Sequence, residues 1–241
     1  MIPTVSIVIP TLNEETTISK QITTIYQHLQ TTFLNSYEWT LIISDNGSTD
    51  STVKKAASLC QTLPNLQLIS THKKGVGIAL KNAWKNVTSD FIGYMDLDIA
   101  TDLTHVKEAL DSLSSQNIDF VYGSRLHADS VVSGRSPMRY CISIIFNLIL
   151  RLYLKTSIKD GMCGFKFFKR NIWDVLQQYG AISDGWFYCC ELAVVAEKKG
   201  FKVLELPIKW TDDANSKVKI VSLSIEYLRA MKKLNATLCG K

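Results

Sequence analysis

Continuous apolar runs alternate along this chain with stretches in which apolar residues recur every three or four positions. Val5-Ser6-Ile7-Val8-Ile9, closed by Pro10, reads as a buried strand. Asn13-Glu14-Glu15 then opens a helix, with a capping residue, acids in the first turn, and Ile18, Ile22, Ile25, Leu29 and Phe33 along one face. The same rhythm predicts strands at 39–43, 66–69, 91–95 and 120–123. Between them lie helical patterns carrying Val53, Ala56 and Cys60, then Leu80, Ala83 and Trp84, then Leu103, Val106, Leu110 and Leu113. Strands alternating with helices imply βαβ units, an α/β fold, and a mostly parallel central sheet covered on both faces.

After Gly123 the rhythm breaks. Residues 124–137 read as a polar loop long enough to be functional. An amphipathic helix is expected over 138–154, a short strand at 165–168, helices near 172–178 and 187–198, and a strand at 201–206. A last helix over 221–234 carries lysines near its end. No repeat or linker interrupts the chain, so one domain is expected over 1–218 with a helical appendage over 219–241.

In sheets of this kind ligands bind beyond the carboxyl ends of the strands. Asn13 and Glu14 follow the first strand, Asp45 the second, Lys74 and Gly75 the third, and Asp96 and Asp98 the fourth. A strand rises about 3.3 Å per residue with alternating side chains, so Asp96 and Asp98 should emerge together, roughly 6–7 Å apart. Two such carboxylates suit a hard divalent cation, Mg²⁺ or Mn²⁺, with positions left for substrate phosphates. The plainer alternative is an acidic pair serving a turn. Taken with the other strand ends, the pattern predicts a nucleotide or phosphate site.

Charge and cysteine usage narrow the partners. The net charge is +5, and the excess lies from Lys155 onward, which fits either an anionic partner such as phosphates or an acidic membrane surface, or simply a solvated lysine face. No arginine-rich or aromatic-interleaved run argues for nucleic acid. Six cysteines without a Cys-x-x-Cys spacing, and no signal peptide, read as reduced thiols in the cytoplasm. The apolar run over 141–154 is shorter than the roughly 20 residues a membrane span needs, and suits a helix lying in an interface. A Rossmann dehydrogenase is disfavoured, because no Gly-x-Gly-x-x-Gly follows the first strand.

Seven segments together resemble the family 2 glycosyltransferases of the GT-A fold. They are Val8-Ile9-Pro10-Thr11-Leu12-Asn13-Glu14, Asp45-Asn46-Gly47-Ser48-Thr49-Asp50, Lys74-Gly75-Val76-Gly77, Met95-Asp96-Leu97-Asp98-Ile99-Ala100-Thr101, Gly123-Ser124-Arg125, Asp160-Gly161-Met162-Cys163-Gly164-Phe165-Lys166 and Pro207-Ile208-Lys209-Trp210. The most similar branch is that of the dolichyl- or polyprenyl-phosphate sugar synthases, especially the β-glucosyl type. The resemblance implies that Pro10, Thr11, Asn13, Glu14 and Asp45 line a nucleoside pocket finished by Asp50, Lys74 and Gly75. It implies that Asp96 and Asp98 hold the metal at the donor diphosphate. Arg125, Arg139 and Ser143 match positions that grip an acceptor lipid phosphate, with Arg135 a further candidate. Ser216 and Lys217 resemble a segment that closes on the donor.

The implied activity is inverting transfer of a hexose, glucose from UDP-glucose favoured, to a polyprenyl or dolichyl phosphate. Where mannosyl enzymes of this kind carry a glutamine, this chain has Ala100, which weakens a GDP-mannose reading. Asn46 replaces the second aspartate of the usual Asp-Asp-Gly-Ser, and Cys189 stands where an aspartate is common. A saccharide or protein hydroxyl acceptor would need a general base, for which only Glu191 and Asp184 offer themselves. A non-catalytic nucleotide-sugar-binding protein is the remaining alternative. Without the carboxy-terminal transmembrane helices of many relatives, the chain is expected to sit peripherally on the cytoplasmic face of a membrane. Its apolar helix would dock there or, alternatively, pack in a homodimer.

Overall fold

The computed structural model describes residues 2–115, 117–212 and 220–239. Seven strands form one twisted sheet in the order β3-β2-β1-β4-β7-β5-β8. They are β1 (Thr4–Thr11), β2 (Glu38–Asp45), β3 (Leu66–Ser70), β4 (Phe91–Met95), β5 (Phe120–Ser124), β7 (Phe165–Lys169) and β8 (Val203–Pro207). A second, two-stranded sheet joins β6 (Val131–Ser133) to β9 (Lys209–Thr211).

Alternation of side chains explains why the sheet is buried on both faces. Val5, Ile7 and Ile9 of β1 enter one core with Leu41, Ile43, Met95 and Phe167. Val8, Ile42, Ile92, Tyr94 and Phe168 enter the other. The first core is covered by α1 (Ile18–Thr32), α2 (Thr52–Thr62) and α4 (Thr104–Ser115), whose Ile22, Leu29, Ala56, Val106 and Leu110 are all fully buried. The second is covered by α3 (Val76–Trp84), α6 (Trp173–Gln178) and α7 (Tyr188–Lys198), with Leu150 and Leu154 of α5 (Pro137–Leu154). The last helix, α8 (Ile220–Leu238), adds Tyr227, Met231 and Leu234 to that core.

Chain order reverses between β1 and β4, with β2 and β3 on one side of β1 and β4 on the other. That is the switch point at which doubly wound sheets open a crevice for ligands. The sheet is mostly parallel as expected, with β7 alone running antiparallel between β4 and β5. Three other expectations need correction. Helix α1 starts at Ile18, because Asn13 adopts a left-handed φ of 55° and the preceding loop is engaged elsewhere. The loop after β5 contains β6, too short for its pattern to register. Helix α5 is 18 residues long, about 27 Å at 1.5 Å per residue, so it is long and apolar enough to cross a bilayer by length and composition.

Candidate active site

Beyond the ends of β1 and β2, two loops are laced together. Asn13 N–H donates to Ser48 Oγ at 2.9 Å, and its Oδ1 accepts from Thr49 N–H at 2.9 Å. Glu14 N–H donates to Thr52 Oγ1, Glu15 N–H to Asp50 Oδ2, and Ser51 N–H to Glu15 Oε2. Asp50 also turns the chain into α2, accepting from Thr52 N–H at 2.9 Å one residue before the Ser51 N-cap. Glu14 accepts from the Thr17 hydroxyl at 2.7 Å, which ties it to the entry of α1. Turn and cap roles are therefore filled by the residues expected to line the pocket.

Asp45 ends β2 beside Thr11 in register and is buried. Its carboxylate accepts from Gly47 N–H, Ser48 N–H and Ser70 Oγ, which fixes it at the floor of the crevice. Asn46 has a role its sequence position did not reveal: its Oδ1 accepts from Gly75 N–H at 2.5 Å. Gly75 must be glycine, since its φ is +152° and a methyl there would overlap the Asp184 carbonyl. Lys74 beside it is exposed and Pro10 is half-buried. The hydroxyl of Thr11 is buried with no hydrogen-bond partner among the described residues.

Strand β4 ends at Met95, and Leu97 and Asp98 already lie in a turn, so strand geometry does not set the Asp96–Asp98 separation. Asp98 is exposed and accepts from Ala100 N–H at 3.0 Å. Asp96 is half-buried and wedged against β7: its N–H donates to Gly164 O, and a methyl on Gly164 would overlap its carboxylate. Desolvation, and then the neighbouring Asp98 charge, push the Asp96 carboxyl up to about 7, against the pull of Arg125 and Lys166. A carboxyl whose ionisation is opposed by burial and by a neighbouring carboxylate forms a site that a cation would relieve. Among the described residues no cluster of three or more His, Cys, Asp or Glu forms. The donor set fits Mg²⁺ or Mn²⁺ only with phosphate oxygens or water completing the coordination.

Across the crevice, three arginines gather. Arg125 follows β5, and Asp160 accepts from its backbone N–H, Nε and Nη2 at 2.8–2.9 Å. Burial opposes ionisation of Asp160, but the Arg125 charge and hydrogen bonds outweigh it and hold the carboxyl below its ordinary range. The Arg125 guanidinium also lies 4.9 Å from the centre of the Trp210 ring. Arg135 is half-buried, and its Nη1 is buried without a hydrogen-bond partner among the described residues. Desolvation and then the Arg125 charge lower its pKa. Arg139 begins α5 and pairs with Asp212 at 3.3 Å, with Ser143 half-buried one turn later. Ser216 and Lys217 lie outside the described residues.

The two candidate bases are engaged in structural contacts. Glu191 is buried and accepts from Ile182 N–H, Ser183 N–H and Ser183 Oγ, while Asp184 pairs with Lys81 at 2.8 Å. Cys189 is buried, and desolvation raises its thiol to about 11, which keeps it neutral. Asp160 and Lys166 were visible only as letters of one motif. Lys166 is fully buried and donates from Nζ to Gly161 O and Cys163 O, at 3.0 and 2.6 Å.

The family model for glycosyl transferase family 2 matches residues 6–176. The chain belongs to glycosyl transferase family 2. It is thus a glycosyltransferase domain, and its 160–166 motif and most of its strand ends fall within the match. It is 31% identical over 218 residues to the glycosyltransferase AglD of Haloferax volcanii, covering 90% of this chain and 34% of that protein. To the dolichyl-phosphate beta-glucosyltransferase of Saccharomyces cerevisiae it is 26% identical over 248 residues, covering 95% of this chain and 72% of that one. The chain therefore spans about a third of the length of the Haloferax relative. Among solved structures, glucosyl-3-phosphoglycerate synthase from Mycobacterium tuberculosis in complex with Mn²⁺ and UDP-glucose superposes with a TM-score of 0.68. That match covers 99% of this chain and 79% of the other at 18% identity, and it establishes the GT-A fold.

Proposed function

We propose that this family 2 domain transfers a hexose, glucose from UDP-glucose favoured, to a polyprenyl or dolichyl phosphate at a membrane surface. One observation carries the reading. Asp96, desolvated and pushed up by the neighbouring Asp98 charge, lies within the electrostatic reach of Arg125, and Arg125, Arg135 (its buried Nη1 without a hydrogen-bond partner among the described residues) and Arg139 lead to a helix with an exposed apolar face. Asp96 and Asp98 would hold Mg²⁺ or Mn²⁺, which when bound neutralises charge on the departing nucleoside diphosphate. Arg125, Arg135 and Arg139 would orient the acceptor phosphate, since guanidinium groups bind phosphate oxygens in pairs and stay charged. An acceptor phosphate is already ionised. Its oxygen attacks the anomeric carbon as the bond to the diphosphate breaks, inverting the centre with no proton to remove.

The absence of a base requirement separates this reading from transfer to a saccharide or protein hydroxyl. Glu191 and Asp184, the two candidate bases, spend their carboxylates on backbone donors and on Lys81. Ala100, in place of a glutamine, supports glucose over mannose. On α5, Ile145, Leu148, Ile149 and Leu152 are 42–71% exposed, with Arg139 and Arg151 at hand for headgroups. That face supports docking on a membrane surface.

The test is to incubate the protein with a panel of radiolabelled nucleotide sugars, Mg²⁺ or Mn²⁺, and a short polyprenyl phosphate. Labelled lipid from UDP-glucose, lost with EDTA, is expected. Turnover only with a hydroxyl acceptor would overturn the reading. By titration calorimetry with UDP-glucose and Mn²⁺, Asp98→Ala should abolish cation-dependent donor binding; unchanged affinity would remove the metal role.

A further inference from the structure

We infer that Asp160 and Trp210 are positioning residues whose task is to hold the Arg125 guanidinium in one orientation toward the acceptor phosphate. The inference rests on the proposed function and names how that site is set.

Asp160 is fully buried in the turn before β7. It takes three hydrogen bonds from one residue, 35 positions away in sequence: the backbone N–H, Nε and Nη2 of Arg125. Lys166 pins the same turn by donating to its Gly161 and Cys163 carbonyls. Trp210 covers the guanidinium, and its strand is itself anchored. Trp210 bridges to Thr101, and Thr211 N–H donates to Ala100 O at 2.8 Å, in the segment that carries Asp98. One edge and one face of the guanidinium are thus committed, and among the described residues Nη1 makes no hydrogen bond to protein. An arginine fixed in this way has lost its rotamer freedom during folding, so binding an anion does not have to fix it again.

The cost of the arrangement makes it testable. Asp160 cancels the charge of Arg125, so a site built only to attract phosphate would be better without it. If Asp160 merely neutralises, Asp160→Asn adds one positive charge to the crevice and the acceptor KM falls. If it positions, the same variant frees the guanidinium and the acceptor KM rises.

We expect Asp160→Asn to raise KM for a short polyprenyl phosphate by about tenfold or more, the scale of one charge-assisted hydrogen bond, with KM for UDP-glucose unchanged. A lower or unchanged acceptor KM overturns the inference. Should this variant fail to fold by circular dichroism, the Trp210 pair decides. Trp210→Leu should raise the acceptor KM, and Trp210→Phe, which keeps an aromatic face, should restore most of it; equal behaviour of the two overturns the stacking role. A wild-type protein that ignores polyprenyl phosphate but uses a hydroxyl acceptor overturns the proposed function itself. Active wild type with an unaltered Asp160→Asn overturns only the positioning.

Discussion

Gly164 is the residue on which the carboxylate pair depends most directly. Any side chain there would occupy the space of the Asp96 carboxylate. Gly164→Ala should therefore weaken Mn²⁺ binding by about tenfold or more while the protein stays folded, measured by titration calorimetry alongside a thermal melt; a tenfold change corresponds to about 1.4 kcal/mol. Asp96 itself sets a pH dependence. Its carboxyl lies near 7 in the fold and near 3.8 in an unfolded, hydrated chain, so the folded protein binds the extra proton between those values. Without a cation, stability then falls as pH rises through that window. Cation binding needs the carboxylate and should strengthen by roughly tenfold between pH 6 and pH 8, as the ionised fraction grows across a pKa of about 7. Asp96→Asn should remove both effects, and a flat Mn²⁺ affinity over that range would count against the assignment. Asp96 and Asp98 stood out in the sequence because they follow a buried strand and polar residues sit at the ends of three other strands, although an Asp-x-Asp alone is common. Gly164 and Asp160 were not, since nothing local tells that the turn before β7 returns to the ends of β4 and β5.

Among the elements, α5 shows both what a period reveals and what it hides. Its 3.6-residue repeat and arginines made the helix and its amphipathic character legible. Its outward face was only partly so. Ile145, Ile149 and Leu152 are exposed, but Ile142 and Phe146 of the same apolar pattern are half-buried, and the Phe146 ring meets Tyr227 of α8 at 5.5 Å. That neighbour arrives some eighty residues later and leaves no trace in the local pattern. The short strand β9 was missed for a related reason: three residues carry no period, and its partners β6 and Thr101 are remote. The exposed face yields a prediction. Leu152→Ser and Ile149→Ser should each lower partitioning onto anionic vesicles by about tenfold, on a scale of roughly 1.5–3 kcal/mol for a fully buried aliphatic side chain. Because both side chains are exposed, the melting temperature should stay within a degree or two. Vesicle co-sedimentation unaffected by both changes would reassign the face to another partner.

At the scale of the whole molecule, the sheet is a shared wall between two cores, and the proposed cation site lies at its seam. The layered α/β architecture was legible because both faces of the central strands are apolar. The antiparallel insertion of β7 was not, since strand direction has no signature in a five-residue run. Yet that insertion brings Gly164 to Asp96 and Asp160 to Arg125. The seam between β4 and β7 closes only because Gly93 has no side chain: a methyl there would meet the Phe167 ring in the first core. On the opposite face, Trp84 is fully buried against Tyr94, Phe168, Trp173 and Tyr188. The two positions separate stability from site geometry. Gly93→Ala overpacks the seam at a cost of about 1–3 kcal/mol. Trp84→Ala leaves a cavity in the second core and costs about 3–5 kcal/mol. If the seam sets the site, the milder Gly93→Ala should lose more Mn²⁺ affinity than the harsher Trp84→Ala, with both measured below their melting transitions. Urea unfolding supplies the stabilities and calorimetry the affinities. Losses of affinity that simply followed the losses of stability would mean that the carboxylate pair is held by the fold at large and not by the contact between β4 and β7.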